Sequence, residues 1–199
     1  MPRHVEVTFN LRRLAIVISQ GNLVAWHKPE LHLCEQAVVN AANEELLGAV
    51  GDDEDYDDDF GGGGVDAALH HAAGPELRQS CAALPEVHPG IRCPTGEARI
   101  TSAAGALKVG HVIHAVAPVY PSYTPAEAES LLQQAFLSAL QLARSNGIHA
   151  VAIPALGCGL FGCPVEMGAR AALSACGTIA EALEASEEMM EVHFVLYKR

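Results

Sequence analysis

Residues 148–164, IHAVAIPALGCGLFGCP, decide the fold. Ile148 to Ile153 reads as an apolar strand, Gly157 to Gly162 as a glycine turn, and Pro164 opens a helix running to about Ser186. A strand, a glycine turn and a helix in direct succession form the repeating step of an α/β protein. Just upstream, Thr124, Pro125 and Glu127 supply an N-cap, a first-turn proline and a capping-box acid. Leu131, Leu132, Ala135, Leu140, Leu142 and Ala143 give that helix its apolar face, and Gly147 ends it. Downstream, Val192 to Tyr197 closes the chain as a strand.

The N-terminal half repeats the alternation. Val5 to Phe9 reads as an edge strand, Leu14 to Ser19 as a short buried one, and Ala37 to Asn40 as an apolar run ending in polar residues. Val65 to Ala73 is helix-like, with Gly74-Pro75 only partly interrupting it, and Ala98 to Ser102 and His111 to Ala117 are further strands. Apolar strands alternating with amphipathic helices predict a layered α/β domain with both sheet faces covered. The 199 residues suit one domain, 1–199.

The formal net charge is −12, but seven acidic side chains fall between Asp52 and Asp59, leaving the remainder mildly acidic. That balance argues against general nucleic-acid binding. The run at 49–60 is expected to be a flexible, solvated insertion loop, or else a screen at the cleft mouth that repels polyanions. No apolar run approaches the ~20 residues of a membrane helix. Met1 to Phe9 lacks a signal-peptide pattern. The six cysteines form neither a Cys-x-x-Cys pair nor a zinc spacing, so a reduced, intracellular setting and no metal are expected.

Three turns carry the chemistry: Asn40-Ala41-Ala42-Asn43, Gly61 to Gly64 with Val65-Asp66, and Gly157 to Gly162. Ligands of α/β sheets bind outside the carboxyl ends of strands. Glycine turns and helix N-termini there present backbone N–H groups to phosphate. One such run would be a tight turn; two in matching positions predict a pyrophosphate cradle. The P-loop pattern fails, because Gly64 is followed by Val65-Asp66 rather than Lys and a hydroxyl. Gly157, Gly159 and Gly162 satisfy G-x-G-x-x-G, but Glu181, the acid about 20 residues on, falls inside a helix.

Individual residues have plainer readings too. Asn40 and Asn43 suit sugar hydroxyls and also suit turns. Asp66 sits in a first helical turn, where any carboxylate is favoured. His111 and His114 read as packed core, and Cys158 as a weak candidate nucleophile.

Val38-Val39-Asn40-Ala41-Ala42-Asn43, the Gly61–Gly64 run with Val65 to His70, and Cys93-Pro94-Thr95-Gly96-Glu97-Ala98 together resemble a macrodomain of the MacroD type. His111 to His114 and Pro154 to Pro164 extend the match, and Leu84 to Cys93 is most similar to plant and green-algal members. The resemblance implies a three-layer α/β/α sandwich around a central mixed, mostly parallel sheet, with ADP-ribose along its crest and no cofactor. It makes Asn43, Asp66 and His70 the catalytic set. It makes Asn22, Leu23, Asn40, Ala41, Gly62, Gly63, Gly64, Val65, Gly157, Cys158, Gly159, Leu160, Phe161 and Tyr197 the ligand-binding set.

The implied activity is removal of mono-ADP-ribose from aspartate or glutamate side chains of modified proteins. Deacetylation of O-acetyl-ADP-ribose, dephosphorylation of ADP-ribose 1″-phosphate and non-catalytic reading share the same cleft. A monomer partnered by ADP-ribosylated proteins, in the cytoplasm or nucleus, is expected. The family's usual Gly-Asp-Ile is here Gly21-Asn22-Leu23, which removes a charge from the adenine acceptor. Gly157-Cys158 stands where many relatives have Ser-Thr, and the chain ends at Arg199, where relatives often continue into another helix.

Overall fold

The computed structural model describes residues 6–48, 64–184 and 189–197. The acidic run at 49–60 and the glycines Gly61, Gly62 and Gly63 lie outside the described residues.

Among the described residues, seven strands form one sheet. In chain order they are β1 (Glu6–Leu11), β2 (Leu14–Gln20), β3 (Gln36–Ala42), β4 (Ala98–Ser102), β5 (His111–Val116), β6 (Ala150–Ile153) and β7 (Met190–Leu196). Their spatial order is β1-β2-β7-β6-β3-β5-β4. The five inner strands run parallel, and β1 and β4 pair antiparallel at the two edges. The expected mixed, mostly parallel sheet is present.

Helices α1 (Gly64–Ala73) and α2 (Pro75–Ala82) cover one face, over Val38, Ala42, Val112, Val116 and Val195. Helices α3 (Pro125–Ser145) and α4 (Val165–Glu184) cover the other, over Leu14, Ile16, Val39, Ile113, Val151, Ile153 and Val192. Both faces of β3 and β6 are therefore apolar, which is why these strands read as unbroken hydrophobic runs rather than alternating ones. Among the described residues no helix is long and apolar enough to cross a membrane.

The ends of α3 follow their local sequence. Thr124 Oγ1 accepts from the Glu127 N–H, and the Glu127 carboxylate accepts from the Thr124 N–H at 2.9 Å, closing the capping box. At the other end Gly147 takes φ +67°, Ile148 N–H bonds Ala143 O and Gly147 N–H bonds Arg144 O, which is a Schellman cap.

Several boundaries differ from the sequence expectation, and three of them have a local cause. Gly74, at φ +71°, fully separates α1 from α2 rather than partly interrupting one helix. Strand β6 starts at Ala150, because Ile148 completes the cap of α3 and His149 is exposed beside it. Strand β3 runs two residues past Asn40, since Asn40, Ala41 and Ala42 pair with His114, Ala115 and Val116 of β5.

Candidate functional site

All five parallel strands end at one edge of the sheet. Strand order therefore sets the order of the candidate residues along this crest. Gly21-Asn22-Leu23 follows β2, Tyr197 follows β7, the 154–164 turn follows β6 and Asn43 follows β3. Gly21 N–H bonds Leu196 O at 3.0 Å, which holds the Asn22 turn beside Tyr197.

At the β2–β7 end, Asn22 is exposed, and its side-chain oxygen accepts from Val24 N–H at 3.0 Å as the cap of a short 3₁₀ turn. One lone pair is thus occupied and the other is available to a donor. Leu23 is buried in the core, so only its backbone reaches the crest. Tyr197 is 78% exposed, an open aromatic platform.

The turn after β6 is held by its own backbone. Cys158 N–H bonds Ala155 O, Gly162 N–H bonds Gly159 O, and Cys163 N–H bonds Gly157 O. Gly157 takes φ +73°, and a β-carbon there would stand 2.9 Å from Cys163 Sγ, so only glycine suits the position. Gly159 and Leu160 are exposed, while Phe161 is half-buried and accepts through its carbonyl from Tyr120 N–H at 2.8 Å. The Cys158 thiol donates to Leu156 O and faces α4. Burial, reinforced by Glu166, raises its pKa, the opposite of what a nucleophile needs.

At the β3 end, Asn43 caps its own turn by accepting from Leu46 N–H at 3.0 Å, which leaves its amide N–H groups for a ligand. The turn is clamped from outside. Arg92 N–H and Cys93 N–H both donate to Glu44 O, and Thr95 donates to Glu44 Oε1 from its N–H and its hydroxyl. The sequence reading missed this clamp, since no local pattern joins residues 44 and 95.

Asp66 lies in the first turn of α1 and is only 6% exposed. Its Oδ1 accepts from Asn40 Nδ2 at 2.6 Å, and His70 Nε2 stands 3.7 Å away without a hydrogen bond. Burial lowers the His70 pKa more than the Asp66 carboxylate raises it. Gly64 and Val65 lead into this turn.

Asn40 is a correction. Its side chain is fully buried, bonded to Asp66 and within 3.2 Å of His114 Nδ1, so it holds the acid rather than a sugar. Ala41 is half-buried and packs against the core. His114, read from sequence as packed core, is buried as expected and is also joined to the site: its Nε2 lies 3.0 Å from Thr101 Oγ1 and 3.4 Å from Cys81 Sγ. Ligand atoms of His70, Cys81 and His114 fall within 4.8 Å of one another. Both ring nitrogens of His114 are engaged and burial pushes the Cys81 thiol up to about 12, so these residues suit a hydrogen-bonded core better than a metal.

The sequence model of the Macro domain matches residues 39–172, spanning the Asn40–Asn43 turn, α1 and the turn after β6. The chain belongs to the Macro domain family. It is 43% identical over 149 residues to a macro domain-containing protein of Xanthomonas campestris, covering 75% of each chain. It is 40% identical over 161 residues to a Citrobacter rodentium protein named O-acetyl-ADP-ribose deacetylase, covering 81% of this chain and 80% of that one. In structure this macrodomain is similar to the Oceanobacillus iheyensis macrodomain solved with ADP. The TM-score is 0.76 at 29% identity, covering 99% of this chain and 90% of that chain.

Proposed function

We propose that this macrodomain binds ADP-ribose along the crest and, as a MacroD-type hydrolase, removes mono-ADP-ribose from aspartate and glutamate side chains of proteins. The adenine lies at the Asn22–Tyr197 end, the diphosphate between the turn after β6 and the start of α1, and the distal ribose beside Asn43 and Asp66. That the Oceanobacillus relative was solved with ADP supports a nucleotide as part of the ligand. Backbone N–H groups bind the diphosphate, which fits a chain of net charge −12.

The single observation that carries the hydrolase reading is the Asp66 carboxylate, buried at a helix N-terminus and fixed at 2.6 Å by Asn40. Asn43 holds the ribose, and Asp66 orients and deprotonates a water that attacks the anomeric carbon. The bond from that carbon to the substrate carboxylate breaks, giving free ADP-ribose, the restored acid side chain and one proton. Positioning of this kind lowers barriers by several kcal/mol. The six cysteines without a disulfide suit an intracellular setting, cytoplasmic or nuclear.

The test is incubation with protein carrying glutamate-linked ADP-ribose. Wild type is expected to release ADP-ribose, and Asp66→Ala to lose ~10²–10⁴-fold in kcat while still binding ADP-ribose. Binding without release by wild type would make the protein a reader. An Asp66→Asn variant of full activity would hand the base role to the substrate's own diphosphate. Deacetylation of O-acetyl-ADP-ribose is a second reading, favoured by the name of the Citrobacter relative. The same assay on that ester ranks the two.

A further inference from the structure

Behind Asp66 runs a buried line of polar groups, of which the proposed reaction uses only Asn40. Asn40 and His114 are 0% exposed, and Thr101 is 8% exposed. They come from three adjacent strands, β3, β5 and β4, and Asn40 and His114 are direct partners across the β3–β5 pair. From α1 and α2, His70 and Cys81 complete the wall.

We infer that His114 is a positioning residue, acting through Asn40, which fixes the Asp66 carboxylate for reaction. The inference rests on the hydrolase reading of Asp66.

A side-chain amide has one face that donates and one that accepts, and rotating it by half a turn exchanges them. Only the donating orientation suits Asp66; the other sets a carbonyl oxygen against a carboxylate. Among the described residues Asn40 Oδ1 is buried without a hydrogen-bond partner, so its oxygen does not hold the amide. The amide nitrogen alone does, with one hydrogen on Asp66 Oδ1 and the other on His114 Nδ1. Nδ1 accepts only if the ring proton sits on Nε2. Thr101 Oγ1, at 3.0 Å from Nε2, can accept that proton, and Cys81 Sγ lies 3.4 Å from the same nitrogen. The set of directions consistent with the acceptor-only Asp66 carboxylate is Asn40 to Asp66, Asn40 to His114 Nδ1, and Nε2–H of His114 to Thr101. Without the Nδ1 acceptor, Asn40 can turn over. Asp66 is then free to swing toward His70 Nε2, which stands 3.7 Å away and has no hydrogen bond among the described residues.

The test combines turnover with a readout that general loosening does not mimic. His114→Phe keeps a planar ring and removes the acceptor. It is expected to lower kcat about tenfold, equivalent to roughly 1.4 kcal/mol, with KM and ADP-ribose affinity within about twofold of wild type. His114→Asn returns an acceptor near Nδ1 and should recover most of that loss. In an Asn40→Ala background His114→Phe should cost nothing more, because the two act in series. Additive losses, or a KM that rises with the fall in kcat, would overturn the assignment. If His114→Phe does not fold, Thr101→Val replaces it, with an expected kcat fall of about threefold at constant KM; an unchanged kcat counts against the inference.

A second measurement does not depend on activity. Nitrogen-15 correlation of the His114 ring in the wild-type protein should show the proton on Nε2 and a bare Nδ1. A proton on Nδ1 rules the inference out. If wild type has no turnover, the hydrolase reading fails, and this ring measurement alone decides whether His114 anchors Asn40.

Discussion

A β-carbon added to Gly168 would stand 2.5 Å from Cys158 Sγ. The middle of the turn after β6 is thus seated directly on the first turns of α4. The thiol fills the notch left by a residue without a side chain. Gly168 lies within the helix, where glycine costs about 1 kcal/mol relative to alanine, so its presence is explained by this contact.

Gly168→Ala tests the contact. Alanine improves helix propensity but overlaps the sulfur, and overpacking of this size costs ~1–3 kcal/mol. The expected outcome is a net loss of stability in a thermal melt, together with weaker ADP-ribose binding as the turn is lifted. The double variant Cys158→Ala/Gly168→Ala should regain most of both. If the single variant is as stable as wild type and binds equally, the turn does not depend on this seat.

The same packing governs thiol reactivity. Cys34 is exposed, whereas Cys81, Cys93, Cys163 and Cys176 are buried and Cys158 is half-buried with a raised pKa. Alkylation of the native protein near neutral pH should therefore modify Cys34 well before any other cysteine, as read by peptide mass mapping. Cys158→Ser should leave turnover within about twofold, since the sulfur faces α4 and its pKa is raised. Preferential labelling of Cys158, blocked by ADP-ribose, would reopen its case as a nucleophile.

Burial, with a smaller contribution from neighbouring His70, holds the His114 pKa down to about 3. The unfolded chain titrates near 6.5. Between those values the unfolded state binds a proton that the folded state refuses, so stability falls as pH drops below about 6.5. At pH 5 this one group should cost roughly 2 kcal/mol relative to neutral pH. Urea midpoints measured from pH 7 to pH 5 should show the loss, and His114→Phe should flatten the His114 share of the slope. An unchanged slope in that variant would assign the acid sensitivity to other groups.

Legibility in the sequence followed the range of the interaction. The strands and the two ends of α3 could be read because apolar runs and caps are local, and Thr124, Glu127 and Gly147 sit where those rules place them. The Asn43 turn and the turn after β6 could be placed together at the carboxyl ends of strands from the sequence, but Asn22 and Tyr197 joined them only through the family resemblance; strand order depends on pairings far apart in the chain. Asn40 was misjudged for the same reason. An amide closing an apolar run looks like the start of a turn, yet pairing with β5 extends β3 past it and turns the side chain inward. The half-occupied oxygen of Asn22 was invisible because capping by a side chain leaves no mark beyond the residue type.

The clamp on the Asn43 turn gives the last prediction. Glu44 Oε1 accepts from both the N–H and the hydroxyl of Thr95, each at 3.0 Å, and Glu44 O accepts from the Arg92 and Cys93 N–H groups. Only the first two bonds involve the Glu44 side chain. Hydrogen bonds to a charged acceptor contribute ~1.5–3 kcal/mol, so Glu44→Ala should destabilise the fold by roughly 2 kcal/mol. Thr95→Val removes the hydroxyl bond and keeps the N–H bond, so it should cost about half as much. In the double variant the hydroxyl loss should not count twice. Because Asn43 immediately precedes the clamped residue, Glu44→Ala should also raise the Kd for ADP-ribose, with Thr95→Val intermediate. Calorimetric titration of the three variants reads this order directly. An unaltered Kd alongside the loss of stability would confine the clamp to folding and leave Asn43 held by its own cap to Leu46.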